Sequence, residues 1–146
     1  MNVYETAQQQ EKPQQAVQVT LNFGLLSSTA TSNGEQLIDP SPADPDINLR
    51  VSKRDTLEFV SDDSFRIEIK PLNHNDIPAG PSGNPFEKSD TDSQLQPDGE
   101  RQRHKVDRGA VRSDFQTDEK GRAYKYIATL KTDPNKKIDP HIIIRR

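Results

Sequence analysis

A chain of 146 residues with 29% hydrophobic and 29% charged content holds one domain with a small core and long solvated stretches. The absence of cysteine excludes disulfides, thiolate metal centres and cysteine nucleophiles, and a net charge of −3 gives no general attraction to nucleic acid or to an anionic membrane. Eleven prolines and seven glycines without collagen-like period cut the chain into short pieces, which favours strands joined by turns and predicts a soluble all-β protein.

Residues 1–15 are rich in Gln and Glu with almost nothing to bury, so their ordering entropy goes uncompensated and a disordered tail is expected. No apolar run of signal-peptide type occupies residues 1–18, and none elsewhere reaches transmembrane length, so a cytoplasmic location is the default expectation. The first strand is expected over 16–24, where Val17, Val19, Leu21 and Phe23 alternate with Gln18, Thr20 and Asn22. Residues 25–30 could extend it, until Ser32-Asn33-Gly34 turns the chain. The run 36–46, with Pro40, Pro42 and Pro45, belongs on an edge or surface, since proline removes ladder donors.

Three more strands follow over 47–52, 56–61 and 65–72, separated by the tight polar turns Lys53-Arg54-Asp55 and Asp62-Asp63-Ser64. Residues 73–108 are polar, punctuated by Pro78, Pro81, Pro85 and Pro97, and read as a long insertion without regular structure. Strands resume over 110–115 and 123–131, where Tyr124, Tyr126, Ala128 and Leu130 share a face, and close with the run Ile142-Ile143-Ile144 within 141–146. The result is a single β-sandwich domain, 16–146, of about seven strands.

Three of these pieces carry a resemblance. VSKRDTLEFVSDDSFRIEI from Val51 to Ile69, AYKYIATL from Ala123 to Leu130 and DPHIIIR from Asp139 to Arg145 resemble, in that order, the cupredoxin family. That family is a Greek-key β-sandwich in which a Lys-x-Gly-Asp-Thr hairpin, a Tyr-x-Tyr strand and a last aliphatic strand surround copper. Here Arg54 stands where the family prefers glycine. The resemblance places the family's first histidine near Ile67, its cysteine at Ala128, its second histidine near Lys131 and its methionine near Ile138. None of the four can supply the thiolate and imidazole donors of a blue-copper centre, so the resemblance implies a cupredoxin-like scaffold without copper and no cofactor.

Only three histidines exist. His74 beside Asp76 could join a transition-metal site, but a solvated loop residue is the simpler reading, and His141 borders a strand that it packs against or caps. Asp39, Asp44 and Asp46 offer calcium oxygens at a spacing that matches no EF-hand, as any acidic solvated connection does. Arg101, Arg103, His104, Lys105, Arg108 and Arg112 are the one basic concentration. Glu100 and Asp107 interrupt it and no aromatic residue is interleaved for base stacking, so a protein partner fits it better than nucleic acid.

Gly80-Pro81-Ser82-Gly83 reads as a pair of turns, Asp62 and Asp63 as turn residues, and Tyr124 and Tyr126 as core, which leaves no constellation for catalysis. The expected function is a non-enzymatic protein–protein interaction or structural module. Recognition is expected through the 73–108 insertion, with His74, Asp76, Phe86, Arg101, Arg103, Lys105 and Arg108 as contact residues and edge-strand pairing as a second mode. The alternative is a module binding a metal ion or a glycan through the same insertion.

Overall fold

The computed structural model describes residues 15–32, 35–36 and 47–146. Most of the expected tail, together with Asp39, Asp44 and Asp46, lies outside the described residues. Within them the protein is all-β. The strands in chain order are β1 (Ala16–Asn22), β2 (Ser27–Ser32), β3 (Glu35–Gln36), β4 (Ile47–Ser52), β5 (Thr56–Ser61), β6 (Phe65–Pro71), β7 (Gln94–Asp98), β8 (Arg101–Ala110), β9 (Arg122–Leu130), β10 (Asp133–Ile138) and β11 (His141–Arg145).

Two mixed sheets face one another. The first has the order β3-β2-β1-β5-β8-β7, and the second β10-β9-β11-β4 with β6 also paired to β9. Each contains one parallel pair, β1 with β5 and β4 with β11. Period-two alternation sends Val17, Val19 and Leu21 of β1 and Leu57 and Phe59 of β5 inward, opposite Phe65 and Ile67 of β6 and Tyr124, Tyr126 and Ala128 of β9. Leu49, Val51, Ile142 and Ile144 complete the same core. Phe59 meets Tyr126 edge to face with ring centroids 5.0 Å apart, so aromatic packing ties the sheets at their middle.

The turn from β4 in the second sheet to β5 in the first closes on Asp55, which is buried. Its N–H donates to the Ser52 carbonyl at 3.0 Å, while its carboxylate accepts the N–H of Ser52 at 2.8 Å and of Gln15 at 3.2 Å. One side chain thus closes the turn and fixes the start of β1, which explains an aspartate after Lys53-Arg54.

The structure corrects the expected outline in four places. Residues 23–26 form a turn, and the chain returns as β2 antiparallel to β1 instead of extending it. The segment 73–108 is not a structureless insertion: it contributes β7 and most of β8, and β8 sits inside the first sheet between β5 and β7. The strand expected over 110–115 is only the end of β8, an isolated bridge at Val111 and a turn closed by Phe115 N–H on the Arg112 carbonyl at 3.0 Å. Finally, β10 was not foreseen, and the described strands number eleven instead of about seven.

The stretch before β7 links the two sheets. Glu87 and Lys88 donate to the carbonyls of Ala110 and Arg108 at 2.8 and 3.0 Å, beside β8. A few residues on, Ile67 donates to Thr91 at 2.8 Å and Ser93 to Phe65 at 2.9 Å, beside β6. This strap therefore closes the side of the sandwich between β6 and β8, and its hydrogen bonds are ladder-like although its sequence reads as loop.

Candidate functional site

Side chains on β8 alternate between the core and the outer face of the first sheet. Val106 and Arg108 point inward, whereas Arg103 and Lys105 lie on the outer face among carboxylates. Arg103 is 3.3 Å from Asp62 and 3.5 Å from Asp98, Lys105 is 3.3 Å from Asp98, and the more exposed Arg101 is 3.7 Å from Asp62. Desolvation pushes the Asp98 carboxyl up, but its bonds and charge attraction to Lys105 and Arg103 outweigh this and hold it below the usual carboxylate range. Farther along, Lys88 pairs with Asp107 at 2.6 Å and Arg112 grips Asp114 through two bonds of 3.0 and 2.8 Å. The basic concentration seen in the sequence is thus interleaved with its own acids.

Arg108 differs, because no carboxylate among the described residues bonds it. Only 3% exposed, it donates to Asn84 Oδ1 at 3.1 Å and to the Ile67 carbonyl at 3.3 Å. Burial pushes its guanidinium below the ordinary arginine range, with the charge of Asp90 opposing. Asn84 in turn accepts the Phe86 N–H and donates to the carbonyls of Phe86 and Lys88, so this cation and this amide hold the strap against both sheets.

The seven expected contact residues therefore do not form one surface. Phe86, 1% exposed, belongs to the core and bridges to Val111. His74, 7% exposed, packs its ring against His141 with centroids 4.3 Å apart. With Arg108, these residues are corrected from partner contacts to interior groups: flanked by polar neighbours in sequence, they are covered by elements distant in the chain. Asp76 is exposed in the 74–77 turn, and Arg101, Arg103 and Lys105 lie on the first sheet's outer face in the network above.

The positions that the resemblance assigns to copper donors lie in register. Ile67 pairs with Ala128, and Ala128 with Ile138, in one fully buried row across β6, β9 and β10. That row is hydrocarbon, so it has no atom with which to ligate a metal. Lys131, at the fourth position, is exposed and lies 3.5 Å from Asp92. Among the described residues no group of three or more His, Asp or Glu side chains could hold a metal ion, and none of the described residues forms a helix long and apolar enough to cross a membrane.

No protein-family model, curated protein or solved structure matches this chain. Its chemistry has to be taken from its own residues. A cleft of about 380 Å³ lies between Pro81, Pro85, Arg112, Asp114, Phe115 and Tyr124. The Tyr124 hydroxyl donates to the Pro81 carbonyl at 3.0 Å, and burial pushes this phenol up to about 12.

The feature that sequence reasoning missed is at the β1–β2 turn. Leu25 and Leu26 are 76% and 51% exposed, and Leu26 has φ +52°, a left-handed conformation that a leucine adopts at a cost of roughly 1–2 kcal/mol. Asn22 Oδ1 accepts the Leu25 N–H at 3.1 Å and helps to hold the turn. Two adjacent apolar residues break the period-two pattern of β1, and that break was the available signal.

Proposed function

We propose that the protein is a non-catalytic protein–protein interaction module built on a cupredoxin-like sandwich without copper, and that it meets its partner with the Leu25–Leu26 tip. The scaffold part of this reading draws support from the strand pairing. The Tyr-x-Tyr strand β9 lies between β6 and the aliphatic strand β11, and β11 runs parallel to β4, whose following turn Asp55 closes.

The observation that carries the functional part is the tip itself. Strained backbone and neighbouring exposed leucines are unfavourable in the isolated domain, and such features concentrate where a surface is used. Burying both leucines in an apolar pocket contributes about 1.5–3 kcal/mol each, which suits a modest, reversible association supplemented by polar contacts around the tip. Arg103 and Lys105 on the outer face of β8 are paired with Asp62 and Asp98, which makes them poor donors to nucleic-acid phosphates and good rigidifiers of the sheet.

Affinity capture from the source lysate, comparing wild type with Leu25→Ser/Leu26→Asn, tests this reading. Asn tolerates the left-handed conformation, so the variant is expected to melt at or slightly above the wild-type temperature while losing a protein partner that wild type retains. Equal recovery by both proteins, or recovery of no protein by wild type, overturns it. Deleting 73–108 is unsuitable as a test because it removes β7 and most of β8.

A further inference from the structure

The two ends of the sandwich differ in chemistry. β1 runs parallel to β5 with Thr20 level with Val60, so the Leu25–Leu26 tip stands at the end where β5 finishes and the Asp62-Asp63-Ser64 turn begins. The opposite end carries the Lys53-Arg54-Asp55 turn, the segment that follows Ala110, itself opposite Thr56, and the close of β11, where Arg145 lies beside Ser52. The cleft of about 380 Å³ belongs to this second end, since Arg112, Asp114 and Phe115 follow Ala110 and Tyr124 is near the start of β9. Tip and cleft therefore lie at opposite ends of one molecule.

The tip is suited to leaving water. No Asp, Glu, Lys or Arg stands between Lys12 and Glu35 in a chain that is 29% charged, so the β1–β2 hairpin has no ionic group to desolvate. The cleft offers matching chemistry. Pro81, Pro85, Phe115 and Tyr124 supply apolar wall, the Tyr124 hydroxyl is already committed to the Pro81 carbonyl, and Arg112 and Asp114 neutralise each other through two bonds of 3.0 and 2.8 Å. An apolar guest thus strands neither a lone charge nor an unbonded phenol. The cleft volume lies at the lower end of the roughly 300–1,000 Å³ of small-ligand pockets, which suits a turn tip better than a whole strand.

Charge favours the same orientation. The turn beside the tip carries Asp63 and Asp62, the latter shared with Arg101 and Arg103, while Lys131 at that end is held by Asp92. The cleft end carries Lys53, Arg54, Arg145 and Arg146, and its Asp114 and Asp118 are already bonded to Arg112 and Arg122. Copies that approach tip to cleft meet with opposite charge, whereas tip to tip they do not.

Given the tip as the recognition element proposed above, we infer that its partner is a second copy of this chain, whose cleft receives Leu25 and Leu26. Such a contact is heterologous: each copy uses its tip once and its cleft once, so assembly continues head to tail instead of stopping at a dimer. The buried patch is small, so each contact is weak, with a dissociation constant of roughly 0.1–1 mM.

Sedimentation equilibrium of the purified full chain at concentrations up to about 1 mM tests this. The expected result is a weight-average mass that rises with concentration and passes that of a dimer. Leu25→Ser/Leu26→Asn, which keeps the cleft, and Ser82→Arg, which sets a charged chain on the exposed cleft wall and keeps the tip, are each expected to stay monomeric. Mixed together, the two variants are expected to form a one-to-one dimer and nothing larger, because one intact tip meets one intact cleft. Should Ser82→Arg fail to fold, Gln116→Arg, exposed on the same cleft, takes its place. A wild-type mass independent of concentration, growth that stops at a dimer, growth of either folded variant alone, or no dimer in the mixture would overturn the inference. A monomeric wild type that still captures a different protein through Leu25 and Leu26 would overturn the second copy as partner and leave the tip as the recognition element.

Discussion

Replacing Phe86 with alanine separates a surface role for the 73–108 segment from a core role. A phenylalanine on a solvated loop can be removed for less than about 0.5 kcal/mol. In the structure Phe86 is 1% exposed, bridges to Val111 and has its backbone clasped by Asn84 on both sides. Truncation there removes a buried ring and leaves a cavity that the two sheets, tied by strap and core, cannot collapse to fill, at a cost of about 3–5 kcal/mol. For a domain of ordinary stability, about 5–15 kcal/mol, that is a large share of the total. Urea unfolding followed by circular dichroism reads the difference as a shifted midpoint at unchanged slope. Phe86→Leu, which keeps most of the volume, is expected to cost about 1 kcal/mol and to remain folded. A Phe86→Ala midpoint within about 0.5 kcal/mol of wild type would refute the placement of this segment in the core.

Other consequences can be checked alongside. Asn84→Ala strips the buried Arg108 of one of its two acceptors and is expected to destabilise by about 2–4 kcal/mol, whereas adding Arg108→Met should recover part of the loss by removing the unpaired charge; strictly additive effects in a double-mutant cycle would count against the coupling. The carboxyls of Asp98, Asp107, Asp114 and Asp118 are held below 3.8, and because their folded-state pKa values are depressed, their contribution to stability is present above about pH 4 and is lost as pH falls below it. A denaturation midpoint that does not fall on acidification below about pH 4 would contradict this.

At the other extreme, the Tyr124 phenol, pushed up to about 12 by burial, should ionise late in an alkaline absorbance titration. Raised pKa means that its contribution is complete below 10 and lost as pH rises toward 12, and Tyr124→Phe should abolish the late component. Gly80→Ala directs a methyl group into the ring of Tyr124, which is buried and bonded to Pro81, so a loss of about 1–3 kcal/mol is expected from melting curves.

The strands legible in the sequence are those whose burial follows hydrophobic alternation: β1, β4, β5, β6, β9 and β11. β8 escaped because its inward positions include Arg108 and His104 beside the single aliphatic Val106, so its period is polar on both faces. β10, Asp-Pro-Asn-Lys-Lys-Ile, has only Ile138 buried and is a strand because β9 offers it a partner, which local composition does not reveal. The candidate site failed in the sequence for a related reason. Arg103 and Lys105 read as available cations until the turn after β5 and the end of β7 bring Asp62 and Asp98 beside them. Likewise, the contact between His74 and His141 exists only because the chain after β6 folds back over β11. By contrast, the aliphatic character of positions 67, 128 and 138 was legible residue by residue, and their common burial in one row follows from the register.

The central claim is that recognition belongs to the β1–β2 tip and that the β8 cations are internal to the scaffold. Site-specific photocrosslinking tests it in one experiment, with the reactive group placed at position 26 or at position 101 of otherwise identical protein in the source lysate. The account predicts a discrete protein adduct from position 26, competed by unlabelled wild type but not by Leu25→Ser/Leu26→Asn, and no competed adduct from position 101. A competed adduct from position 101 with none from position 26 would contradict it and return the interface to the 73–108 segment.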